Sequence, residues 1–324
     1  AELGQVYDRL GHYPDAINAV LHGKQVAHET LDPDRLNDDS FIRRIHRNQE
    51  WFTSEQISGW NLSIENAGPA PVFLVGFPRS GTTLTEQVLA AHPAFITSHE
   101  QQLINIVLKN MNAILGRPVS YPEDLSNFSE TDVRLLRKAY WDEVKTQLGD
   151  EYLYKRLIDK LPLNLVHLGF IRRIFPESPV IMVLRDPRDA CLSGFLQAFK
   201  LNPAMVAFLD MERTADFYSA VMNLWLHYRK TLGLNWIELR YEDLIQDFES
   251  QSRMLLDHVG EAWDEGLLQF HESAAERFAN TPSYRDVTSP VYSRAVGRWQ
   301  NYESLIAPVA PRFEKYVVAF GYSG

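Results

Sequence analysis

The sequence predicts an α/β fold, a parallel sheet of four to five strands flanked by helices, with a helical appendage at the N-terminus. Three observations predict it. The apolar run Val72 to Val75 is long enough only for a buried strand, and it turns through a glycine-bearing loop into a helix. A second apolar run, Pro179 to Leu184, has the composition of a strand covered on both faces. Strand signals at 94–97, 152–160 and 236–240 alternate with helical segments.

In the first of these stretches, Gly76-Phe77-Pro78-Arg79-Ser80-Gly81-Thr82-Thr83 joins strand to helix, and Leu84, Val88, Leu89 and Ala91 are spaced for one buried face. Strand, loop and helix laid out this way form a phosphate cradle, in which loop N–H groups and the helix N-terminus converge on one anion. The spacing is that of GxxxxGK[ST], with Gly76, Gly81 and Thr83 in place, but Thr82 stands where the lysine belongs. A kinase needs that lysine on its β- and γ-phosphates. The nearest cation here is Arg79, so the loop suits a 5′-phosphate better than a triphosphate–magnesium complex.

Elsewhere the chain supplies polar groups at strand ends, where open α/β sheets place their sites. Ser98-His99-Glu100 follows the short strand 94–97. A strand ending at Asp159-Lys160 is followed by Pro162, which opens the next helix. Arg185 ends the 179–184 strand, Asp186 caps the following helix, Pro187 fits its first position and Ser193 lies two turns along. An arginine and a hydroxyl so placed can grip a terminal phosphate, unless Arg185 is taken up in an ion pair with Asp189. Met205, Phe208, Leu209, Met211, Phe217 and Tyr218 fall at helical spacing and read as core in preference to an acceptor pocket.

PRSGTT followed by a helix resembles the 5′-phosphosulfate loop of the sulfotransferases, which use 3′-phosphoadenosine-5′-phosphosulfate (PAPS). Among them the chain is most similar to the tyrosylprotein-sulfotransferase-like proteins and the bacterial sulfotransferases fused to tetratricopeptide repeats. The resemblance covers about residues 71 to 320 and implies the P-loop sulfotransferase type of fold. It implies a cofactor site made of Arg79, Ser80, Gly81, Thr82 and Thr83, a 3′-phosphate site at Arg185 and Ser193, and Tyr241 of the RYEDL turn near the nucleotide. Lys160 matches the lysine set against the bridging oxygen of PAPS. Gln197 departs from the tyrosylprotein branch, where another cation is expected. The tail from Ser289 to Trp299 resembles the segment that closes over PAPS, with Gly297 for close backbone approach and Arg294 and Arg298 as phosphate contacts. His99 and Glu100 are both candidates for the catalytic base, with Glu100 preferred.

The implied reaction is transfer of a sulfuryl group from PAPS to an acceptor hydroxyl, or an amine, leaving 3′-phosphoadenosine-5′-phosphate (PAP) and using no metal. Lys160 and Arg79 would stabilise the leaving phosphate and Glu100 would take the proton. A P-loop kinase using ATP and a non-catalytic PAPS-binding scaffold are the alternatives. The acceptor class stays open among peptide, glycan, lipid and small molecule.

Composition sets the remaining expectations. The chain has 324 residues, 45% of them hydrophobic, enough for a full core, and a net charge of −10, which gives no basic field for nucleic acid. The single cysteine, Cys191, rules out an internal disulfide and fits a cytoplasmic location. No signal peptide is seen, and no apolar run approaches the roughly 18–20 residues of a membrane span. Residues 71–324 form the expected main domain, and 31–70 a connector with one helix at about 40–48. In residues 1–30, Gly4, Tyr7, Gly11, Tyr13 and Ala16 resemble the spacings of one tetratricopeptide repeat. That segment is expected to be the last repeat of an array and a possible surface for a protein partner, in preference to a plain helical hairpin.

Overall fold

A computed structural model describes residues 2–60, 62, 68–270 and 295–323. They divide into two compact units, one of Ala1–Arg47, Arg185–Leu224 and Ser293–Gly324, the other of Asn48–Leu184 and Trp225–Tyr292.

The second unit holds a five-stranded parallel sheet: β1 (Val72–Gly76), β2 (Phe95–Thr97), β3 (Arg156–Lys160), β4 (Pro179–Leu184) and β5 (Asn235–Arg240), in the order β2-β3-β1-β4-β5. Phe73 pairs with Asp159 on one side and Val180 on the other, so β1 is central. Every residue of β1 and β4 is buried, as expected of a strand covered on both faces. Alternate residues serve opposite faces. Val72 and Leu74 join Ile181, Val183 and Leu239 in a core that also takes in Val88 and Leu89 of α6 (Thr82–Ala90) and Leu255 and Leu256 of α13 (Phe248–Val259). On the other face Phe73 meets Phe175 and Tyr140, the latter on α8 (Glu130–Leu148). Ser129 starts α8 in a reciprocal capping box with Asp132.

The expected strand 152–160 begins only at Arg156, because Gly149–Leu153 form a 3₁₀ turn and Leu153 and Tyr154 are 59% and 86% exposed. The connector is more helical than expected: α4 (Ser40–Trp51) lies where one helix was predicted, with the short α3 (Pro33–Leu36) and α5 (Ser54–Ser58) beside it in sequence.

The first unit contains the helices α1 (Glu2–Arg9) and α2 (Tyr13–Thr30), with Gly4 close against Val20 of α2. It also contains α10 (Pro187–Phe195), whose N-cap is Asp186, accepting from the Arg188 N–H at 2.9 Å. Phe208, Phe217 and Tyr218 are each 1% exposed, so most of the aromatic stripe is core. Met205, Phe208 and Leu209 also line a cavity of about 140 Å³. No helix among the described residues is long and apolar enough to cross a membrane.

Candidate functional site

The candidate residues fall into two groups, each described within its own unit. The first surrounds the loop between β1 and α6. Two features fix that loop. Arg79 takes a left-handed φ of 70°, and Gly81 reaches φ 106°, ψ 7° as the cap of α6. That leaves the first N–H groups of the helix without intrahelical partners. A Cβ at Gly76 would stand 2.7 Å from the Val183 carbonyl and 2.6 Å from Ser80 Oγ, so the chain leaves the sheet too tightly for a side chain. A Cβ at Gly81 would stand 2.6 Å from Cδ2 of Tyr241, which places the Tyr241 ring directly against the loop. Ser80, Thr82 and Thr83 are buried, and Ser80 Oγ has no hydrogen-bond partner among the described residues. An orphaned hydroxyl inside such a cradle fits an anionic oxygen.

Beside the loop, the chain leaving β2 is tied to β3. The Ser98 N–H donates to Ile158 O at 3.0 Å and the Glu100 N–H to Lys160 O at 3.1 Å. Between these bonds His99 and Glu100 take left-handed φ values of 48° and 65°. Such backbone costs of order 1–3 kcal/mol per residue and persists where the surroundings over-determine it. The turn presents Glu100 to Lys160, with Glu100 Oε1 2.6 Å from Lys160 Nζ. Lys160 Nζ also stands 2.9 Å from Glu86 Oε2. Glu86 lies on α6, one turn beyond Thr82 and Thr83, and was not among the residues picked from the sequence. Burial pushes its carboxyl up, but Lys160 and His99 outweigh that and hold it below the usual glutamate range.

Next to Lys160 on β3, Asp159 points to the opposite side and is fully buried. It accepts from Tyr140 Oη at 2.8 Å, Asn164 Nδ2 at 3.3 Å and Ser98 Oγ at 3.4 Å. Burial pushes its carboxyl up to about 7, partly offset by the Tyr140 and Ser98 hydrogen bonds.

The second group is built on α10. Arg185 and Ser193 are 7% and 6% exposed, and Arg185 Nη2 donates to Ala295 O at 2.5 Å. Asp189 accepts from the N–H groups of Gly297 (2.6 Å) and Trp299 (2.8 Å), which fixes the start of the tail on the helix. Burial raises the Asp189 carboxyl and the Arg185 charge opposes that rise. Arg188 grips Asp186 with two nitrogens, at 2.9 and 2.6 Å, and lies over the Trp299 ring. Gly297 has φ 68°, as expected of a glycine at a sharp turn. Arg298 is engaged by Asp8 of α1 at 2.7 Å, and Tyr302 Oη donates to the same carboxylate at 2.6 Å. Gln197 carries no charge of its own, but its carbonyl accepts from Lys24 Nζ of α2 at 3.1 Å. Burial lowers the Lys24 amine to about 8. Arg294 lies outside the described residues.

Comparison with known proteins bears on both groups. A family model described as the sulfotransferase family matches residues 71–265. Protein-tyrosine sulfotransferase 1 of Danio rerio is 26% identical over 285 residues, which cover 79% of this chain and 76% of that protein. An uncharacterized protein of Aquifex aeolicus (strain VF5) is 27% identical over 312 residues, covering 95% of this chain, which spans only 40% of that relative's length. Among solved structures, the sulfotransferase domain from the curacin biosynthetic pathway superposes with a TM-score of 0.53 at 17% identity, covering 79% of this chain and 99% of that one. The sulfotransferase domain from the Synechococcus PCC 7002 olefin synthase gives 0.53 at 19%, covering 82% and 99%. These two likenesses show the fold. The family match spans more than half the sequence, including the phosphate loop, the Glu100 turn, Lys160, Arg185 and Tyr241, and the chain belongs to the sulfotransferase family.

Proposed function

We propose that the protein is a PAPS-dependent sulfotransferase that passes a sulfuryl group to an acceptor hydroxyl by in-line displacement. The observation that carries this reading is the contact of Glu100 with Lys160 beside a phosphate loop that has Thr82 where a kinase has lysine. A bound donor would supply the activated sulfuryl group. The Ser80 hydroxyl, the loop N–H groups and Arg79 would hold its 5′-phosphate side, with the Tyr241 ring closing on Gly81. Arg185 and Ser193 would hold the 3′-phosphate. Glu100 would accept the acceptor's proton while Lys160 balances the charge growing on the departing phosphate oxygen. The family match and the protein-tyrosine sulfotransferase relatives support this assignment, and they make a phenolic hydroxyl the first acceptor class to try.

Residues 1–30 remain, in this reading, the end of a helical repeat array that offers a surface to a protein partner, and the protein works in the cytoplasm. The test compares ligands by thermal unfolding. PAP should raise the melting temperature, equivalent to about 2.7 kcal/mol at a hundredfold excess over Kd, and ATP with Mg²⁺ should not. Equal stabilisation by ATP would return the kinase reading.

A further inference from the structure

Glu86 is the one ionisable side chain of α6, and it points into the protein. Its surroundings form a graded stack. The side chains of Glu86 and Lys160 are both 0% exposed, that of Glu100 is 30% exposed and that of His99 is 47% exposed. Lys160 Nζ is held from below by Glu86 Oε2 at 2.9 Å and covered from above by Glu100 Oε1 at 2.6 Å. His99 Nδ1 closes the group, 3.5 Å from Glu86 Oε1. The ammonium therefore meets an incoming anion only as Glu100 gives way. Two carboxylates thus face the one ammonium beside a loop built for anions.

We propose that Glu86 is a positioning residue that anchors Lys160 from beneath, so that Lys160 can exchange Glu100 for an anionic oxygen of the incoming donor without moving. The proposal rests on the sulfuryl-transfer reading above. No covalent bond changes in the exchange: one carboxylate leaves the ammonium and one donor oxygen takes its place. Lys160 stays paired throughout, so it is never left as a lone buried charge, a state that low-dielectric surroundings disfavour. Glu100, released from its ion pair, is then open to the acceptor's proton. Donor binding thus arms the base, and an acceptor arriving first meets a carboxylate still locked to lysine.

The test uses Glu86→Gln and Glu86→Asp in the full chain, with PAP as the binding probe and PAPS plus a tyrosine-bearing peptide as the turnover probe. Glu86→Gln removes one negative charge beside the loop, so PAP should bind about three- to tenfold tighter. Turnover of bound PAPS should fall, because Lys160 then loses the carboxylate that holds it from below. Glu86→Asp keeps the charge but is one methylene short of Lys160, so PAP affinity should stay near wild type while turnover drops. A purely structural glutamate would give lower unfolding stability and weaker PAP binding in both variants, and that result overturns the proposal. So does wild-type PAP affinity in Glu86→Gln. If Glu86→Gln does not fold, Glu86→Asp decides: wild-type turnover rejects the anchor role. Failure of the wild-type protein to bind PAP would instead sink the sulfuryl-transfer reading, and this proposal with it.

Discussion

Replacing Gly81 by alanine probes the loop and its lid together. The backbone at Gly81 sits at φ 106°, ψ 7°, beyond the left-handed region open to L-residues. Left-handed backbone costs about 1–2 kcal/mol for an alanine even at its optimum, so at least that much is expected here. The new Cβ would stand 2.6 Å from Tyr241 Cδ2 and 3.3 Å from Cγ, so the ring must move off the loop. Overpacking of this kind costs about 1–3 kcal/mol, which brings the total to about 2–5 kcal/mol. Urea unfolding of four proteins measures the two parts: wild type, Gly81→Ala, Tyr241→Ala and the double variant. In the Tyr241→Ala background only the backbone cost should remain, so Gly81→Ala should be milder there by about 1–3 kcal/mol, a coupling expected of residues in contact. Additive effects would refute the packing of Tyr241 on the loop. A loss of under about 0.5 kcal/mol from Gly81→Ala alone, the size of an ordinary surface change, would refute the strained cap as well.

Other perturbations test the chemistry and the buried charges. Glu100→Gln cannot accept a proton and should lower the single-turnover rate by about 10²–10⁴ without weakening PAP binding, whereas His99→Ala should do less; the opposite ranking would make His99 the base. Arg185→Ala should weaken PAP binding by about 1.5–3 kcal/mol in calorimetry, and unchanged affinity would remove Arg185 from the 3′-phosphate site. Asp159 titrates at about 7 in the folded protein because it is buried, well above an unfolded aspartate. A raised folded value means that its stabilising contribution is complete below the unfolded pKa and is lost as pH rises toward 7. Unfolding free energy measured between about pH 4 and 7.5 should therefore decline in wild type relative to Asp159→Asn, and parallel curves would show that Asp159 is not protonated in the folded protein.

What the sequence revealed follows the range of the interactions involved. The β1–loop–α6 stretch and the β4–α10 junction were readable because their signals are local: an apolar run, a glycine at a cap, and Asp186 before Pro187. The start of β3 was misplaced because the alternation at 152–155 reflects exposed Leu153 and Tyr154, with no buried face behind it. Lys160 and Glu100 were each found by position at a strand end, but nothing in the sequence shows that they touch, because their contact is made by pairing β2 with β3. Glu86 escaped for a related reason. A carboxylate one turn beyond Thr82 and Thr83 is unremarked until its partner Lys160, far along the chain, is brought against it. The one available hint was an isolated charge within the helix that follows the loop. In the tail, Arg298 could be picked out as a cation, but its engagement by Asp8 depends on contacts from the opposite end of the chain.

The strand order carries a consequence for how the protein comes into being. Val72 pairs with Ile158 and Phe73 with Val180, so the phosphate loop is braced by strands that leave the ribosome well after it. Until β3 and β4 arrive, Gly76 has no Val183 carbonyl beside it, and Lys160 is not yet available to neutralise Glu86. Non-local parallel pairing of this kind is slow and leaves apolar strands exposed in the meantime. The nascent β1 segment, Val72 to Val75, is thus an apolar stretch that waits uncovered during synthesis until its partner strands follow.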